Sequence, residues 1–363
     1  MKLIDKYKFI KEYNYYNTSK ENDIDIAYYI YNRLIDCGFE MSVSPINLGI
    51  RITNKCNFNC KDCFVSKGLN ELNFDKFLKI FEKLPQKPFY VYLTGGDPFL
   101  NGDIFKMIDF LYLNNIKLNI HTTGVVEKNI LYKIVENYKK INSMQISIDS
   151  INNFDKIRLS KYKDPLREII KFIGILKNKI DLKVNFVLRE ENKYDIFDVI
   201  NFCDKYGIKK LNISPIISKN NSSNDILNLD FYFKILKYIS NKNVRLCSEP
   251  FCHAMSLNYI YTKDLKNVER FYCPAGKTEC EIDINGNVYA CPFLYNDDFK
   301  FGNIFIDDFE SIWKINNRLT RLEWSQNEKC KKCIIYNKCG GGCCAYSYIN
   351  NSEYDERCNL CVL

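Results

Sequence analysis

Short apolar segments recur along residues 48–240 at intervals of about 30 residues, with amphipathic stretches such as 74–84 between them. An interval of this length accommodates a strand, a helix and two loops, and successive strands joined by a helix run parallel. The pattern predicts an α/β fold, a partial (βα)6 TIM-like barrel that stays open instead of closing with eight strands. The six segments are residues 48–53, 89–93, 117–121, 144–148, 182–188 and 209–213.

Polar motifs stand directly after several of these predicted strands. Residues 56–63 follow the first strand, 94–98 the second and 122–124 the third, while the fourth carries Ser147 and Asp149 on one face. In parallel architectures the functional residues gather at the carboxyl ends of the strands. We therefore expect these four segments to converge on one mouth of the barrel.

The first of these motifs, CNFNCKDC, places Cys56, Cys60 and Cys63 in CxxxCxxC spacing. Thiolates this close together indicate a metal site. Tetrahedral zinc in a structural site takes four protein ligands, whereas a [4Fe–4S] cluster held by three cysteines leaves one iron open to another ligand. The alternatives are a zinc knuckle, which needs a fourth nearby Cys or His, and chance clustering in a Cys-rich chain.

Composition describes a globular chain of 363 residues, with 46% apolar and 26% charged residues. No apolar stretch reaches the length that spans a bilayer, and the N-terminus mixes charges throughout, so we expect a cytoplasmic protein. Its 17 cysteines should stay reduced there, which makes metal binding their default use. The formal charge of +8 is spread over scattered lysines, so neither nucleic acid nor membrane is expected as a partner.

The cysteine motif after a strand resembles that of the radical SAM superfamily, in which the amino and carboxylate groups of S-adenosylmethionine chelate the open iron. TGGDP at 94–98 is similar to the family's TGGEP motif, and SIDS at 147–150 followed by Arg158 resembles its ribose- and carboxylate-binding segment. An Asn is also often found after the fifth strand. The resemblance implies that the cofactor is bound by Gly95, Gly96, Asp97, Ser147, Arg158 and Asn192.

The chain departs from the family pattern at two positions. The family prefers Glu where Asp97 stands, but Asp97 keeps the charge for the amino group of the cofactor. The family also prefers an aromatic residue before the third cysteine, where this chain has Asp62 and offers Phe58 and Phe64 nearby.

The C-terminal third is rich in cysteine, with ten of the 17 between residues 273 and 361. Cys273 is followed by twelve residues, Gly286, four residues and Cys291, and after a long gap by CxxCx5CxxxC from Cys330 onward. Asn285-Gly286, inside EIDINGNVYAC, predicts a hairpin turn. A zinc ribbon built on CxxC pairs is the alternative reading of these cysteines.

This gapped pattern resembles the SPASM domain, the auxiliary-cluster extension of radical SAM enzymes that modify peptides and proteins. The match includes GNI at 302–304, Ile312-Trp313 and CGGGC at 339–343. The resemblance implies a small Cys-rich α+β domain and three [4Fe–4S] clusters in all. The implied ligands are Cys56, Cys60 and Cys63 for the SAM cluster, Cys273, Cys280, Cys291 and Cys343 for auxiliary cluster I, and Cys330, Cys333, Cys339 and either Cys358 or Cys361 for auxiliary cluster II.

The expected organisation has four parts. Residues 1–45 form an N-terminal extension of unassigned role, with a helix expected from Ile26 to Asp36. Residues 46–243 form the radical SAM core, 244–272 a linker and 273–363 the SPASM domain.

The resemblance implies an enzyme that reductively cleaves S-adenosylmethionine to a 5′-deoxyadenosyl radical, which abstracts a hydrogen from carbon. The implied substrate is a ribosomally made precursor peptide that gains a thioether or carbon cross-link, or a D-residue by epimerisation. The implied partners include a low-potential electron donor, such as flavodoxin or ferredoxin, and a separate leader-recognition protein.

Three other functions are alternatives. Sulfatase maturation is disfavoured by Pro292, where that branch of the family typically has Asp. Small-molecule radical chemistry is the second alternative. The third, a non-catalytic Fe–S or zinc protein that binds an acidic peptide or nucleic acid, gives no reason for TGGDP, SIDS and Arg158.

Cys203, Cys247, Cys252 and Cys344 are among the cysteines that three clusters do not need. An epimerase requires a hydrogen donor, and Cys247 and Cys252 are the candidates. The alternative is that a spare cysteine is a small buried apolar residue. His121 lies at a strand end near the expected cofactor mouth, but the sequence identifies no catalytic base.

Overall fold

The computed structural model describes residues 43–60, 63, 65–215, 229–239, 241–248, 273–314 and 327–356. The helix expected from Ile26 to Asp36 lies outside these residues, as do Cys252, Cys358 and Cys361. The backbone of Cys247 is described, but its side chain is not.

The strands of the described residues form one sheet. They are β1 (Asn47–Thr53), β2 (Tyr90–Gly95), β3 (Lys117–Thr122), β4 (Ser143–Ser147), β5 (Asp181–Leu188), β6 (Lys210–Pro215), β7 (Arg245–Ser248), β8 (Glu279–Ile282), β9 (Asn287–Tyr289) and β10 (Lys300–Asn303). Their order is β10-β9-β8-β1-β2-β3-β4-β5-β6-β7. Strands β1 to β7 pair in parallel, β8 pairs in parallel with β1, and β8 to β10 form antiparallel hairpins.

Helices follow most of the parallel strands. They are α1 (Phe74–Lys83), α2 (Ile104–Leu113), α3 (Lys128–Glu136), α4 (Phe154–Ile157), α5 (Pro165–Leu176), α6 (Asp195–Tyr206), α7 (Leu229–Ile239), α8 (Phe309–Lys314), α9 (Glu328–Lys331), α10 (Tyr336–Cys339) and α11 (Cys344–Ile349). Local chemistry sets their ends: α1 is capped by the Asn73 side chain, and α6 ends at Gly207 in the left-handed conformation.

The predicted α/β fold is confirmed. Each of the six predicted strands is present with both ends within two residues of the expected bounds. The Asn285-Gly286 turn is also present, because Gly286 has a positive φ of 86° and joins β8 to β9. Strand β7 and the pairing of β8 with β1 were not predicted. The sheet therefore extends beyond the six βα units at both sides.

The two faces of the barrel strands differ in polarity. In β1, the outward-facing residues have no exposed surface and belong to the apolar core under the helices; they are Leu48, Ile50 and Ile52. The inward face is polar, and the strand register places Tyr92 beside Asn119 and Asn119 beside Ser143. A polar interior beneath the carboxyl ends of the strands is suited to a polar cofactor and substrate.

Within the described ranges, the helices are all too short or too polar to cross a lipid bilayer.

Candidate functional site

The cysteine loop, residues 54–63, leaves β1 at the mouth of the barrel. It is held by backbone pairing with the segment after α4, where the Asn59 amide donates to the Leu159 carbonyl at 2.6 Å and Phe58 forms a bridge with Ser160. The Phe58 amide also donates to the Cys56 sulfur at 3.4 Å. A cleft of about 640 Å³ lies against this loop, a volume in the range of small-molecule sites. Asp62 and Phe64 lie outside the described residues.

The three predicted cluster ligands are neighbours in this loop. Cys56 and Cys60 are partly buried, and Cys63 is exposed. The pKa of Cys56 is raised to about 11, mainly by burial, with smaller contributions from the neighbouring Asp97 and Cys60. The pKa of Cys60 is also raised by burial and by the neighbouring Cys63, whereas the charge of Arg158 lowers it. Such thiols ionise when bound iron supplies compensating positive charge, so the donor set fits a cluster held by three thiolates.

Gly95 and Gly96 bring the end of β2 against the start of the cysteine loop. A Cβ on Gly95 would lie 2.2 Å from the Thr53 carbonyl oxygen, and a Cβ on Gly96 would lie 2.1 Å from that of Lys55. The close approach allows the Gly96 amide to donate to Thr53 and the Asp97 amide to donate to Lys55, both at 2.8 Å. The two glycines thus fix the position of the cysteine loop. They do this without any contact to a cofactor.

Asp97 ties the ends of β2 and β3 together. Its Oδ2 accepts from the Thr122 hydroxyl at 2.9 Å and from the Thr123 amide and hydroxyl at 2.9 and 2.6 Å, while its Oδ1 accepts from the Phe99 amide at 3.0 Å. Burial raises the pKa of this carboxyl, and the hydrogen bonds from Thr123, Phe99 and Thr122 oppose the rise. A carboxylate has about four acceptor sites. Because Oδ2 is saturated, one site on Oδ1 remains for the amino group of a ligand.

Arg158 and Asp149 form a buried ion pair beside the cysteine loop. Arg158 Nη1 lies 3.0 Å from Asp149 Oδ2, and the Arg189 guanidinium lies 3.5 Å from the same oxygen. The guanidinium of Arg158 also stands over the Phe58 ring, 5.4 Å from its centroid. In the described part of the chain, the buried Nε of Arg158 has no hydrogen-bond partner. This donor fits a carboxylate or hydroxyl supplied by a ligand.

Asn192 joins the loops that follow β4 and β5. Its Nδ2 donates to the carbonyls of Asp149 and Val187, both at 2.9 Å, and its Oδ1 accepts from the Arg189 amide at 2.7 Å. Both amide protons are therefore used within the protein. Ser147, the last residue of β4, is half-buried and lies beside Asn185. Cofactor binding by Asn192 and Ser147 stays a prediction.

A cluster of buried and partly buried acids and phenols lies on the inward face of the neighbouring strands β8, β1 and β2. Glu281 accepts hydrogen bonds from the hydroxyls of Tyr92 and Tyr295, and the Tyr92 hydroxyl lies 3.3 Å from Glu279 Oε1. The Arg51 guanidinium stands 3.9 Å from the centre of the Tyr295 ring. Burial, with the charge of Glu281, raises the pKa of Glu279 to about 7. No sequence motif pointed to this cluster, although Glu279 and Glu281 alternate within one strand and so share a face of the sheet.

His121 faces this cluster from β3. Its ring stacks on Tyr92 with centroids 5.1 Å apart, and its Nε2 lies 3.1 Å from Asn119 Nδ2. Burial and the charge of Lys183 lower the pKa of His121 to about 4. The ring is therefore neutral at neutral pH.

The expected ligands of auxiliary cluster I do not all come together. Cys291 and Cys343 pack around one small apolar cluster formed by Ala290, Leu294, Phe299 and Ala345. Cys280 lies elsewhere, in the large core of the barrel, with no exposed surface. Cys344, to which the sequence assigned no cluster, packs beside Cys343. Cys291 and Cys343, which are far apart in sequence, are therefore neighbours in the structure, but Cys280 does not lie beside them.

The CGGGC motif forms a tight loop before α11. Gly340, Gly341 and Gly342 all have positive φ, between 65° and 97°, which favours glycine. Asp355 secures the loop, because its Oδ2 accepts from the Cys343 amide at 3.0 Å and its own amide donates to Gly341. A Cβ on Gly342 would lie 2.3 Å from that of Asp355.

Of the described residues predicted to ligate auxiliary cluster II, Cys330 lies in α9, Cys339 lies in α10 and Cys333 lies in the turn between these two one-turn helices. Cys330 and Cys339 are buried, Cys333 is partly buried, and the Cys333 amide donates to the Cys330 carbonyl at 2.9 Å. Among the described side chains, no group of three His, Cys, Asp or Glu is close enough to hold a single metal ion. A [4Fe–4S] cluster separates its ligand sulfurs more widely than one ion does.

Two regions of the chain match known families. Residues 50–203 match the radical SAM superfamily, and residues 273–334 match SPASM, an iron–sulfur cluster-binding domain. Mycofactocin maturase MftC of Mycobacterium tuberculosis is 25% identical over 339 residues, covering 88% of this chain and 83% of the relative. The antilisterial bacteriocin subtilosin biosynthesis protein AlbA of Bacillus subtilis is 23% identical over 333 residues, covering 87% and 70%.

Solved structures show the same fold. Streptococcus suis SuiB bound to S-adenosylmethionine superposes with a TM-score of 0.68 at 22% identity, covering 90% of this chain and 80% of SuiB. SuiB bound to its precursor peptide SuiA superposes with a TM-score of 0.66 at 20% identity, covering 92% and 79%. The cysteine loop, the glycine turn docked on it and the cysteine-rich C-terminal segment are thus the parts of one family pattern, and the chain is a radical SAM superfamily enzyme with a C-terminal SPASM domain.

Proposed function

We propose that this enzyme reductively cleaves S-adenosylmethionine and modifies a ribosomally made precursor peptide by a thioether or carbon cross-link, or by epimerisation. The observation that carries the proposal is the position of the cysteine loop between two sets of polar residues. The Gly95–Asp97 turn is hydrogen-bonded to one side of the loop, and the Asp149–Arg158 pair lies on the other. Support for a peptide substrate comes from the likeness to MftC, AlbA and SuiB.

In this proposal each group of residues at the mouth of the barrel has a separate role in binding the cluster or the cofactor. Cys56, Cys60 and Cys63 hold the cluster whose remaining iron binds S-adenosylmethionine. The remaining acceptor site on Asp97 receives the amino group of the cofactor, and the buried Nε–H of Arg158 donates to its carboxylate or ribose. When bound, the cofactor and cluster supply a 5′-deoxyadenosyl radical after one-electron reduction.

The polar interior of the barrel receives the reacting part of the peptide. Tyr92, Glu281 and Tyr295 are joined by hydrogen bonds before any substrate binds, so this wall of the chamber is preorganised. A side chain held there lies apart from bulk water, which protects a substrate radical from side reactions. Cys247 and Cys252 remain the proposed hydrogen donors for an epimerisation.

The proposal includes three [4Fe–4S] clusters, a low-potential donor such as flavodoxin or ferredoxin, and a separate leader-recognition protein. It keeps the division into an extension (1–45), a core (46–243), a linker (244–272) and a SPASM domain (273–363). The cysteines of the SPASM segment would hold the auxiliary clusters, which would supply an acceptor for the electron left on an oxidised product or a site that binds the substrate. We also propose that the enzyme works in the cytoplasm, where its thiols stay reduced.

The first test is anaerobic reconstitution with iron and sulfide, followed by reduction in the presence of S-adenosylmethionine. We expect 5′-deoxyadenosine, measured by liquid chromatography and mass spectrometry, and we expect none from a Cys56→Ala, Cys60→Ala, Cys63→Ala variant. Addition of a short peptide encoded next to this gene should raise the yield and leave a mass change on the peptide. Equal, background-level yields from wild type and variant would contradict the proposal and favour a non-catalytic Fe–S protein.

A further inference from the structure

Three cysteines pack against the small apolar cluster at the end of the β8–β9 hairpin, and a fourth, Cys273, lies near two of them. Cys273 precedes β8, Cys291 follows β9, and Cys343 and Cys344 stand at the start of α11. Three of them, together with Ala275 two residues after Cys273, pack against the side chains of Ala290, Leu294, Phe299 and Ala345. Segments distant in sequence therefore bring four thiols to one place.

These thiols also act on one another electrostatically. The pKa of Cys273 is raised to about 12, mainly by burial and in smaller part by the neighbouring Cys344 and Cys343. Burial raises the pKa of Cys291, with Cys343 and Cys273 as its leading charged neighbours. For Cys344, burial raises the pKa to about 11, and Cys343 is again the leading charged neighbour.

Cys280 is placed where it cannot join this group. It lies inside β8 opposite Leu48 of β1, and its side chain points into the apolar core. The side chains of a strand alternate between two faces, so Cys280 faces away from Glu279 and Glu281. These two glutamates are the charged groups that act on its thiol.

Moving Cys280 to the other thiols would require a change in the strand itself. Its neighbours in β8 pair with β1 on one side and with β9 on the other. A shift by one residue would carry the buried Glu281 and the partly buried Glu279 into the apolar core, and the burial of unpaired carboxylates is strongly unfavourable. The register therefore holds Cys280 in the core.

We propose that Cys344, with Cys273, Cys291 and Cys343, ligates auxiliary cluster I, and that Cys280 is a core residue. The proposal rests on the presence of that cluster, and it replaces one ligand that the family resemblance implied. The cluster then has four protein thiolates and no open iron. It transfers electrons and does not bind the substrate.

The test uses the Cys56→Ala, Cys60→Ala, Cys63→Ala variant as its parent, because this protein lacks the SAM cluster and its background signal. Into it we introduce Cys344→Ser, Cys280→Ser or, as a matched control for a buried core thiol, Cys203→Ser. Reconstituted proteins are oxidised, their iron is counted, and their EPR and Mössbauer spectra are recorded. Neither substrate nor S-adenosylmethionine is needed, so a failure of the proposed activity is distinguishable from a failure of this ligand assignment.

Loss of one thiolate lets a [4Fe–4S] cluster release one iron on oxidation. We expect Cys344→Ser to fall from about eight irons to about seven per chain, with the EPR signal of an oxidised three-iron cluster. Cys280→Ser and Cys203→Ser should keep the parent spectrum. A Cys344→Asp variant restores an anionic ligand and should suppress the three-iron signal. This rescue would show that the effect of Cys344→Ser comes from the lost ligand and not from a folding defect. A parent-like spectrum from Cys344→Ser, or a three-iron signal from Cys280→Ser, would overturn the assignment.

Discussion

Asp97 and Thr123 are joined by two hydrogen bonds to a single carboxylate oxygen, one from the Thr123 amide at 2.9 Å and one from its hydroxyl at 2.6 Å. The sequence suggested that this acid serves the cofactor alone. The structure shows that it also fixes the ends of two strands at the mouth of the barrel.

This pair predicts graded effects of two substitutions. Thr123→Val removes one hydroxyl donor and should lower the free energy of unfolding by about 1 kcal/mol. Asp97→Asn presents an amide to the same donors, so the loss should reach about 2–3 kcal/mol and cleavage of S-adenosylmethionine should fall with it. Urea unfolding curves measure the first effect and 5′-deoxyadenosine yield the second. An Asp97→Asn protein as stable as wild type would contradict this role.

The close packing at Gly96 predicts that a single added methyl group, as in Gly96→Ala, displaces the cysteine loop. A Cβ there would lie 2.1 Å from the Lys55 carbonyl oxygen, and that oxygen belongs to the backbone and cannot swing away. Gly96→Ala should therefore displace the loop, reduce the iron bound by Cys56, Cys60 and Cys63, and lower 5′-deoxyadenosine formation at least tenfold.

Gly174 provides the matched control for that substitution. A Cβ on Gly174 would meet no atom within 4 Å, and the residue lies inside α5. Gly174→Ala should leave iron content unchanged and stabilise the helix by about 0.5–1 kcal/mol. Equal iron content in the two alanine variants would show that the loop tolerates the methyl group.

Arg158 predicts a contrast between buried and exposed ion pairs. Arg158→Gln leaves Asp149 buried with only the more distant Arg189, so we expect a loss of about 3 kcal/mol in stability and a higher KM for S-adenosylmethionine. Lys171→Gln breaks an exposed pair with Glu168 and should change stability by less than about 0.5 kcal/mol. Thermal unfolding compares the two. A loss of the same size in both variants would mean that burial adds nothing to the Asp149 pair.

Glu279 predicts a pH dependence of stability. Its pKa of about 7 in the folded protein lies above the ordinary value of 4.5, so between these values the folded state keeps a proton that the unfolded state has released. The contribution of the protonated Glu279 carboxyl to the free energy of unfolding is complete below pH 4.5. It decreases as the pH rises to 7 and does not change further above that pH. Relative to Glu279→Gln, wild type should lose at most about 3 kcal/mol across this interval. Parallel stability curves for the two proteins would contradict the shift.

Most of the barrel could be predicted from the sequence because the signals for its strands are local. The segments that form β1 to β6 are apolar because these strands are buried, and the cysteine and glycine motifs were correctly placed at one mouth. The contact of Asp97 with Thr122 and Thr123 depends on the spacing of two strand ends, which no local pattern encodes. The use of both Asn192 amide protons by backbone carbonyls was hidden for the same reason.

The cysteine pattern could not show which way each thiol points. The resemblance to the SPASM domain implied Cys280 as a ligand, and this residue lies in a strand whose partner, β1, is more than 200 residues away in sequence. The direction of the Cys280 side chain follows from that long-range pairing. Cys203, in contrast, is a fully buried core residue, which agrees with the alternative reading of spare cysteines.

The parallel pairing of β8 with β1 has a consequence for how enzymes of this kind diversify. The segment that carries the auxiliary ligands also supplies Glu279 and Glu281 to the wall of the barrel, beside Asn47 and Gly49. A recombination event that exchanges this C-terminal segment would therefore replace part of the barrel wall together with the predicted ligands of the auxiliary clusters. Substrate preference and redox partner would then change together in a single exchange.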